Sequence, residues 1–369
     1  MAKIALVSDV HLGTRQYGLE ERYNDFLAAF SNFRRATRGW NLDAVVIGGD
    51  LFDSPRPDAR SVKAAQDVVR LMRASSPDMA ILGIDGNHDL AGGDWLKVIG
   101  VDALEDGAVV DVKGTSIVGV NYRNGRDLVA EIQRMADDGV KADILVAHFA
   151  LAEMNGGGSA DTGVQELSPL LDRIGVKAVL MGHVHIPDCR KWNGVLYVNP
   201  GSTEMKSSNE PQDKYFYVLD TETWTAEPFP IETRHVETAE VVDEGSLMEL
   251  KGIMEDEAKK VANGELKKRP FYQIIADDTV DDAFKRIAKT VHDTGAIARI
   301  VMRSSKARDV APVVDRKEGV ATLESAIEAR FPKGSDEAKL TVAMLHSPEP
   351  SAIHLIVERF MSDEEAEKA

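Results

Sequence analysis

Residues 43–53, DAVVIGGDLFD, place an apolar run directly before two aspartates that stand three positions apart, Asp50 and Asp53. The run is continuous rather than alternating, which is typical of a strand buried on both faces. One carboxylate at a strand end can form a turn or cap a helix. A second carboxylate so close is unfavourable because like charges repel, so the pair requires partners of opposite charge. The stretch therefore indicates a covered sheet with a charged site at its edge.

Similar apolar runs recur along the first 220 residues, separated by segments of helical period. The runs include KIALVSD, MAILGIDGN, TSIVGVNY, DILVAHF, KAVLMGHVH, LYVNPGS and YFYVLD. In the segment 21–40, aromatic and apolar side chains recur on one helical face, which could form part of the core or a dimer interface. This alternation predicts a layered α/β fold in which β-sheets are flanked by helices.

The pattern changes after about residue 235, and it predicts four parts. Residues 1–235 are expected to form the main domain, and residues 236–268 a connecting helix. Residues 269–310 read as a small β-α-β domain, because two strand-like runs flank one helical segment. Residues 311–369 form a C-terminal segment that ends in a short amphipathic helix.

Composition bounds the class of protein. The chain has 369 residues and a single cysteine, Cys189, which excludes an internal disulfide and suits a reducing cytoplasm. We expect a cytoplasmic protein, since the N-terminus lacks the zones of a signal peptide and no apolar stretch is long enough to span a bilayer. The net charge of −17 excludes a broad basic clamp for nucleic acid. It is compatible with a metal-dependent phosphoesterase, whose acidic residues are partly ligands.

Candidate site residues follow five of the apolar runs. In chain order they are Asp9 with His11, Asp50, Asn87 with His88, His148, and His183 with His185. Because ligands collect outside the carboxyl ends of strands in open α/β sheets, these five segments can converge. Each motif alone is weak, since a D-x-H or a G-N-H-D can be an ordinary turn. Together and in this order, they predict a single site.

The side chains in this set are suited to two divalent metal ions. Imidazole, carboxylate and amide oxygen together suit Mn, Fe or Zn, and the oxygens favour Mn or Mg. No cysteine is among them, which argues against a structural zinc site. Two metal ions about 3.5–4 Å apart can clamp a phosphoryl oxygen and supply a bridging hydroxide. Asp50 is the natural bridge, because a carboxylate between two cations lowers their repulsion. We therefore expect two divalent ions, with Mn favoured.

The five motifs resemble those of the calcineurin-like metallophosphoesterases. Within that superfamily the chain is similar to the SbcD-type nucleases of double-strand-break repair. This closer resemblance rests on SDVHLGTRQYGLEERYNDF, GGDLFDSPRP and YVNPGSTEMKSSNEPQDKYFYVLD. It covers residues 1 to about 220, and it extends to 269–304 as the family's small DNA-facing capping domain. The resemblance implies that residues 1–235 are a nuclease domain with 3′–5′ exonuclease or single-strand endonuclease activity.

The resemblance also implies a role for each site residue. One metal ion would be held by Asp9, His11, Asp50 and His185. The other would be held by Asp50, Asn87, His148 and His183. His88 would be the general acid that protonates the leaving 3′ oxygen, since the pKa of histidine lies near working pH. Asp53 would pair with His88, orient it and favour its protonated form.

Loop residues beside these motifs are candidates for contact with substrate phosphates, although a solvated loop would explain them nearly as well. They are Arg15, Tyr17, Arg22 and Arg56. The family also implies DNA as substrate, an SbcC-type coiled-coil ATPase as partner, and a homodimer. The helix at the end of 311–369 could dock on the ATPase, or it could pack on the chain's own body.

Two other functions stay open at this point. One is a small-substrate phosphodiesterase or phosphatase on the same metal centre, and the other is a weakly catalytic metal-bearing scaffold that regulates its ATPase. The capping domain argues against the first, because a small-substrate enzyme has little use for an added domain. The complete ligand set with His88 argues against the second.

Overall fold

The computed structural model describes residues 1–90, 94–277 and 282–303, which all belong to one compact unit, Met1–Ser305. The strands described are, in chain order, β1 (Lys3–Val7), β2 (Ala44–Ile47), β3 (Ala80–Gly83), β4 (Asp102–Ala103), β5 (Val109–Val112), β6 (Thr115–Val120), β7 (Ile144–His148), β8 (Ala178–Gly182), β9 (Asp188–Trp192), β10 (Val195–Asn199), β11 (Lys214–Asp220), β12 (Thr225–Ile231), β13 (Val236–Val241), β14 (Phe271–Asp277) and β15 (Ile297–Arg303). The helices described are α1 (Glu20–Ala36), α2 (Ala59–Ser75), α3 (Trp95–Ile99), α4 (Gly125–Asp137), α5 (Val164–Ile174), α6 (Glu244–Ala262) and α7 (Ala283–Thr294). This arrangement confirms the predicted layered α/β class.

Two six-stranded sheets form the main body. The first has the strand order β12-β11-β1-β2-β3-β4, and the second has the order β5-β6-β7-β8-β10-β9. Strands β1 to β4 are parallel to one another, as are β6, β7, β8 and β10. Parallel neighbours end at the same edge of their sheet, so the predicted site residues after β1, β2 and β3 are neighbours, as are those after β7 and β8.

Strands β1, β2 and β3 of the first sheet are buried on both faces, which explains their continuous apolar sequence. Ile4 and Leu6 belong to a core between the two sheets, which also contains Ile144 of β7. The alternate residues Ala5 and Val7 belong to a second core under α1, α2 and α3. Helices α4 and α5 cover the outer face of the second sheet through a third core. The body therefore has four layers, helix–sheet–sheet–helix.

The aromatic face of α1 is part of the core beneath the helices. Phe30 and Phe33 are buried there and pack beside Phe216 of β11. Full burial of side chains of this size contributes roughly 1.5–3 kcal/mol each. This face is therefore used inside the chain and is not a free dimer interface.

A third sheet carries the strands β13, β14 and β15, all parallel. Leu247, Leu250 and Met254 of α6 and Ile287 of α7 pack against it. We call β13–β15 with α6 and α7 the capping unit.

The predicted connecting helix over 236–268 is wrong at its start, because residues 236–241 form β13 and pair with β14. The sequence VETAEV has only three apolar residues on an edge strand, which is too weak a pattern to recognise. The helix begins after Asp243, whose side chain accepts the N–H of Ser246.

Several predictions concern residues that the structure does not describe. The C-terminal segment 311–369 with its docking helix, and residues 304–310 of the predicted capping domain, lie outside the described residues. The domain boundaries proposed from the sequence stay predictions. In the ranges that are described, no helix has both the length and the apolar character needed to cross a bilayer.

Candidate metal centre

The predicted site residues converge at the carboxyl ends of the parallel strands. Several of them have positive φ, in the left-handed region that favours glycine: Asp9 (51°), His11 (49°), Asp50 (49°) and His183 (95°). A left-handed conformation costs a residue with a Cβ roughly 1–2 kcal/mol. Such strain persists where the surrounding structure holds a functional group in place. These four site residues are therefore held in a backbone conformation that their own side chains disfavour.

Two glycines make the close approach of these segments possible. A Cβ at Gly86 would lie 2.1 Å from Asp50 Oδ1. Gly49 has a φ of +99°, and a Cβ there would lie 2.5 Å from His148 Nδ1. The glycines of the G-D and G-N-H-D motifs are therefore required by the packing of the site residues themselves.

The first group of donor atoms surrounds the Nε2 atoms of His11 and His185, which are 3.1 Å apart. Asp9 Oδ1 lies 3.6 Å from His185 Nε2, and Asp50 Oδ2 lies 3.7 Å from His11 Nε2. His185 Nδ1 lies 2.8 Å from Glu210 Oε1. A carboxylate only accepts hydrogen bonds, so Nδ1 carries the proton and the neutral ring has a free lone pair on Nε2. Two imidazole nitrogens and two carboxylate oxygens fit a divalent cation.

The second group surrounds Nε2 of the buried His148. Asn87 Oδ1 lies 3.2 Å from His148 Nε2 and 3.0 Å from His183 Nδ1. Asp50 Oδ2 lies 3.4 Å from His148 Nε2. His148 Nδ1 donates to a backbone carbonyl oxygen at 2.8 Å, so the lone pair of the neutral ring faces two oxygen atoms. Burial lowers the pKa of His148, but the hydrogen bond to Asp50 and the nearby carboxylate charges raise it to about 9. The position thus attracts positive charge and also fits a cation.

Asp50 is common to both groups. Its Oδ2 contacts His11 and His148, and its Oδ1 accepts the backbone N–H of His88 at 2.8 Å. Burial alone would raise the pKa of Asp50, but the hydrogen bond and charge of His148, with the charge of His11, hold it well below its usual range. Asp50 is therefore ionised and stands where a carboxylate can serve both groups.

His88 lies beside the first group, with its ring centroid 4.9 Å from that of His11. Its Nδ1 donates to the backbone carbonyl oxygen of Asp53 at 2.9 Å. The predicted pairing of the Asp53 carboxylate with His88 is therefore wrong. The carboxylate lies instead 2.7 Å from Lys206 Nζ and 3.3 Å from His11 Nδ1. Sequence spacing brings residue 53 to the histidine but cannot tell which of its oxygens faces the ring.

Sequence reasoning missed the two charged residues Lys206 and Glu210. Burial would raise the pKa of Glu210, but the hydrogen bond from His185 and the charge of Lys214 lower it to about 2. Both missed residues stand in STEMKSSNEPQDK, a segment used only for its resemblance. They do not directly follow the apolar run LYVNPGS but stand further along the loop after β10, so the strand-end pattern does not select them.

The expectation that Arg22 contacts substrate is wrong. Its side chain is fully buried and donates to Asp25 at 3.0 Å and to Glu204 at 3.1 Å. A buried and paired guanidinium is a structural contact, because no substrate can reach it.

The other three loop candidates differ in exposure. Tyr17 stacks on Phe271 of the capping unit with ring centroids 5.5 Å apart, and the guanidinium carbon of Arg299 lies 4.5 Å from its ring centroid. Tyr17 therefore joins the loop after β1 to the capping unit. Arg15 is exposed and pairs with Glu20 at 2.8 Å, and Arg56 is exposed. Tyr17, Arg15 and Arg56 stay predictions as phosphate contacts.

A family model describes the region that carries this site. The model of the calcineurin-like phosphoesterases matches residues 2–187, which are 186 of the 369 residues. The chain therefore belongs to the calcineurin-like phosphoesterase family, and the assignment made from its motifs is confirmed.

Curated relatives of the chain are similar in sequence over a longer range. It is 30% identical over 251 residues to the DNA double-strand break repair protein Mre11 of Haloferax volcanii, covering 64% of this chain and 53% of that protein. The Mre11 of Archaeoglobus fulgidus is 28% identical over 227 residues, which cover 55% of this chain and 50% of that protein. The Mre11 of Halobacterium salinarum is 27% identical over a region that covers 66% of this chain and 62% of that protein. The chain thus spans about half to three-fifths of the length of these relatives.

Proposed function

We propose that this protein is a two-metal DNA nuclease of double-strand-break repair, acting as an exonuclease, a single-strand endonuclease or both. The observation that carries the proposal is the pair of donor groups that share Asp50. The similarity to repair proteins named Mre11 supports DNA as the substrate. Membership of the phosphoesterase family supports hydrolysis of a phosphodiester bond.

The ligand assignment follows the two groups of donor atoms. In the proposal, one metal ion is held by Asp9, His11, Asp50 and His185. The other is held by Asp50, Asn87, His148 and His183. Donor atoms of Asp9, His11 and His185, and those of Asp9, Asp50 and His148, lie within 4.8 Å of one another. Manganese is the favoured ion, with Mg, Fe and Zn as alternatives, because oxygen and imidazole donors are mixed. When bound, such ions polarise the phosphoryl group and supply a hydroxide at neutral pH.

The chain's own residues orient the substrate and move the proton. The backbone N–H of His88 donates to Asp50 Oδ1, and the ring Nδ1 of His88 donates to the backbone carbonyl oxygen of Asp53. These two contacts fix the ring and leave Nε2 as the atom that can donate a proton to the leaving 3′ oxygen. General acid catalysis of this kind contributes about 100- to 10,000-fold in rate. The exposed Arg15 and Arg56 are proposed to contact flanking phosphates.

The capping unit favours a polymer over a small substrate. Tyr17 stacks on Phe271 of this unit and follows His11 of the metal centre by six positions, so the unit lies close to the reactive site. We propose that the capping unit contacts DNA, that a coiled-coil ATPase of the SbcC type is the partner, and that the chain acts as a homodimer. With a net charge of −17, DNA binding must depend on few cationic contacts and on the metal ions.

A nuclease assay tests the proposal directly. The purified full chain is incubated with end-labelled duplex and single-stranded DNA in Mn²⁺, in Mg²⁺ and with EDTA. We expect Mn²⁺-dependent cutting that EDTA abolishes and that His88→Asn reduces at least about 100-fold. Asp137→Asn is the control, because Asp137 is 57% exposed at the end of α4, outside the capping unit. It should cut at the wild-type rate.

Other outcomes of the assay would select the alternatives. Hydrolysis of aryl phosphodiesters with no cutting of DNA would replace the proposal by a small-substrate phosphodiesterase. Stimulation of the ATPase partner that survives His88→Asn, with no cutting of DNA, would replace it by a regulatory scaffold.

A further inference from the structure

Glu210 is nearly buried, with 7% of its side chain exposed, and all its contacts reach segments that surround the metal centre. Its Oε1 accepts from His185 Nδ1 at 2.8 Å and from the N–H of Ser207 at 3.0 Å. Its Oε2 accepts from Lys214 Nζ at 2.7 Å, from Ser202 Oγ at 2.8 Å and from the N–H of Lys206 at 3.2 Å. Each oxygen therefore accepts at least two hydrogen bonds.

The contact with His185 decides which ring nitrogen carries the proton. With Nδ1–H donated to Glu210, the lone pair of Nε2 points toward His11 and Asp9. A carboxylate on the remote nitrogen of a metal-ligating histidine fixes the ring orientation and raises the basicity of the ligating atom. Glu210 stands in that position.

The contacts with the main chain place a second group. Because the N–H groups of Lys206 and Ser207 are held by Glu210, the side chain of Lys206 leaves the loop toward the first donor group. Lys206 Nζ lies 3.1 Å from His11 Nδ1 and 2.7 Å from Asp53 Oδ1. Asp53 Oδ1 in turn lies 3.3 Å from His11 Nδ1 and can accept its proton. Glu210 therefore supports His185 directly, and it places the lysine that pairs with the carboxylate beside His11.

Lys214 balances the charge of this carboxylate. Its side chain is 1% exposed, and its Nζ also donates to Ser202 Oγ at 2.8 Å. A buried carboxylate without a cation is unfavourable by several kcal/mol, so this pairing allows Glu210 to be anionic beside His185.

We infer that Glu210 is a positioning residue of the metal centre. It holds His185 directly, and through Lys206 it places the cation that pairs with the Asp53 carboxylate beside His11. Glu210 selectively strengthens the binding of the metal ion that His185 and His11 share. The inference rests on the proposed function, because that proposal assigns both histidines to a metal site.

Binding of Mn²⁺ to the full chain tests the inference, with free Mn²⁺ measured by its EPR signal. We expect two ions per wild-type chain. Glu210→Gln keeps the size of the side chain but removes the charge. It should lower the affinity for one of the two ions about 10- to 100-fold, which is the effect typical of losing a partner of a metal ligand. The affinity for the other ion should stay within threefold of the wild type.

Asp143→Asn is the matched control. Asp143 accepts the N–H of Ser116 at 3.0 Å and its Oγ–H at 2.8 Å, and it pairs with Lys177 at 2.8 Å. It thus has the same kinds of partners as Glu210, but it stands just before β7, at the opposite end of that strand from His148. This variant should bind both ions as the wild type does.

A further variant separates positioning from general destabilisation. If Glu210 acts through His185, then Glu210→Gln should weaken Mn²⁺ binding much less in a His185→Ala background than in the wild type. If Glu210→Gln fails to fold, the double variant Glu210→Gln with Lys214→Met removes the unpaired buried ammonium. This variant should show the same selective loss of one ion.

The inference and the proposed function fail in different ways. Two ions in the wild type and unchanged affinities in Glu210→Gln would overturn the inference alone. An equal loss of affinity for both ions in Glu210→Gln would also overturn the inference. So would an effect of Glu210→Gln on Mn²⁺ affinity that is as large in the His185→Ala background as in the wild type. A wild-type chain that binds no Mn²⁺ would overturn the proposed metal site and the inference together.

Discussion

The metal centre and the junction between α1 and the capping unit both contain buried charge, but the two regions are arranged differently. At the metal centre, Asp50 Oδ2 and Asn87 Oδ1 converge on His148 Nε2, at 3.4 and 3.2 Å. At the junction, Asp25 is 1% exposed and accepts hydrogen bonds from Arg22 Nη1 at 3.0 Å and from Arg234 Nη2 at 3.0 Å. The junction pairs its carboxylate with cations of the chain, whereas the metal centre brings together carboxylate, amide and imidazole groups of the kinds that bind divalent cations. Buried charge alone therefore does not mark a functional site, but a cluster of metal-binding donor atoms does.

Breaking the junction should have the largest effect on stability. Asp25→Asn leaves the buried guanidinium of Arg234 without its carboxylate and that of Arg22 with Glu204 alone, which costs about 3–5 kcal/mol in the free energy of unfolding. Denaturant unfolding of the metal-free chain would measure this loss. Asp67→Asn, which weakens exposed ion pairs on α2, should change stability by less than about 1 kcal/mol.

The same variant tests whether the two regions are separate. Folded Asp25→Asn should bind Mn²⁺ within about threefold of the wild type, because Asp25 contributes no donor atom to either group. A loss of Mn²⁺ affinity as large as the loss of stability would contradict the distinction between the regions.

A methyl group at Gly86 should disrupt the metal centre while the junction stays intact. Because its Cβ would lie 2.1 Å from Asp50 Oδ1, the turn that carries Asn87 and His88 must move. A displacement of about 1 Å at a reacting group can cost 100-fold in rate. We expect Gly86→Ala to lower DNA cleavage at least about 100-fold. Cleavage at the wild-type rate would show that the turn can relax without disturbing Asp50.

The pH dependence of metal binding should reflect His148. Its pKa of about 9 in the metal-free protein means that Mn²⁺ must displace a proton at neutral pH. Affinity should therefore rise about tenfold per pH unit between pH 6 and 8. The folding stability of the metal-free protein should show the opposite trend and fall as the pH rises. The raised pKa of His148 contributes stability that is fully present below about pH 6.5 and is lost as the pH approaches 9. Mn²⁺ titrations at pH 6, 7 and 8 would check the first trend, and an affinity that does not change with pH would contradict it.

The smallest effect is expected from a change confined to the capping unit. Gly252 lies inside α6, and a Cβ there would meet nothing within 4 Å. Gly252→Ala should stabilise the chain by about 0.5–1 kcal/mol through helix propensity. Thermal unfolding would measure the gain, and Mn²⁺ affinity should not change. A change in affinity would show that the capping unit acts on the metal centre.

The ligands of the proposed metal centre could be predicted because each follows a recognisable strand. Asp9, Asp50 and His148 stand at the carboxyl ends of buried parallel strands, and the topology of such sheets brings those ends together. Local sequence was enough for this conclusion, since the order of apolar runs determines where the polar residues meet.

The contacts that support the site could not be predicted in this way. Glu204 is a partner of Arg22 across 182 positions, and Glu210 meets His185 across 25. No periodicity relates such pairs, so amphipathic patterns place Arg22 on a helix but do not show that it is buried. The partner of the Asp53 carboxylate could not be predicted for another reason. The direction of that carboxylate depends on Lys206, a residue from a distant loop.

Anomalous diffraction at the manganese edge, from crystals of the wild-type chain grown with Mn²⁺, would locate the metal ions themselves. We expect two peaks about 3.5–4 Å apart, one on each side of the Asp50 carboxylate. One peak should lie beside His11 and His185, and the other beside His148 and Asn87. A single peak, or peaks away from Asp50, would contradict a two-metal centre built on this shared carboxylate.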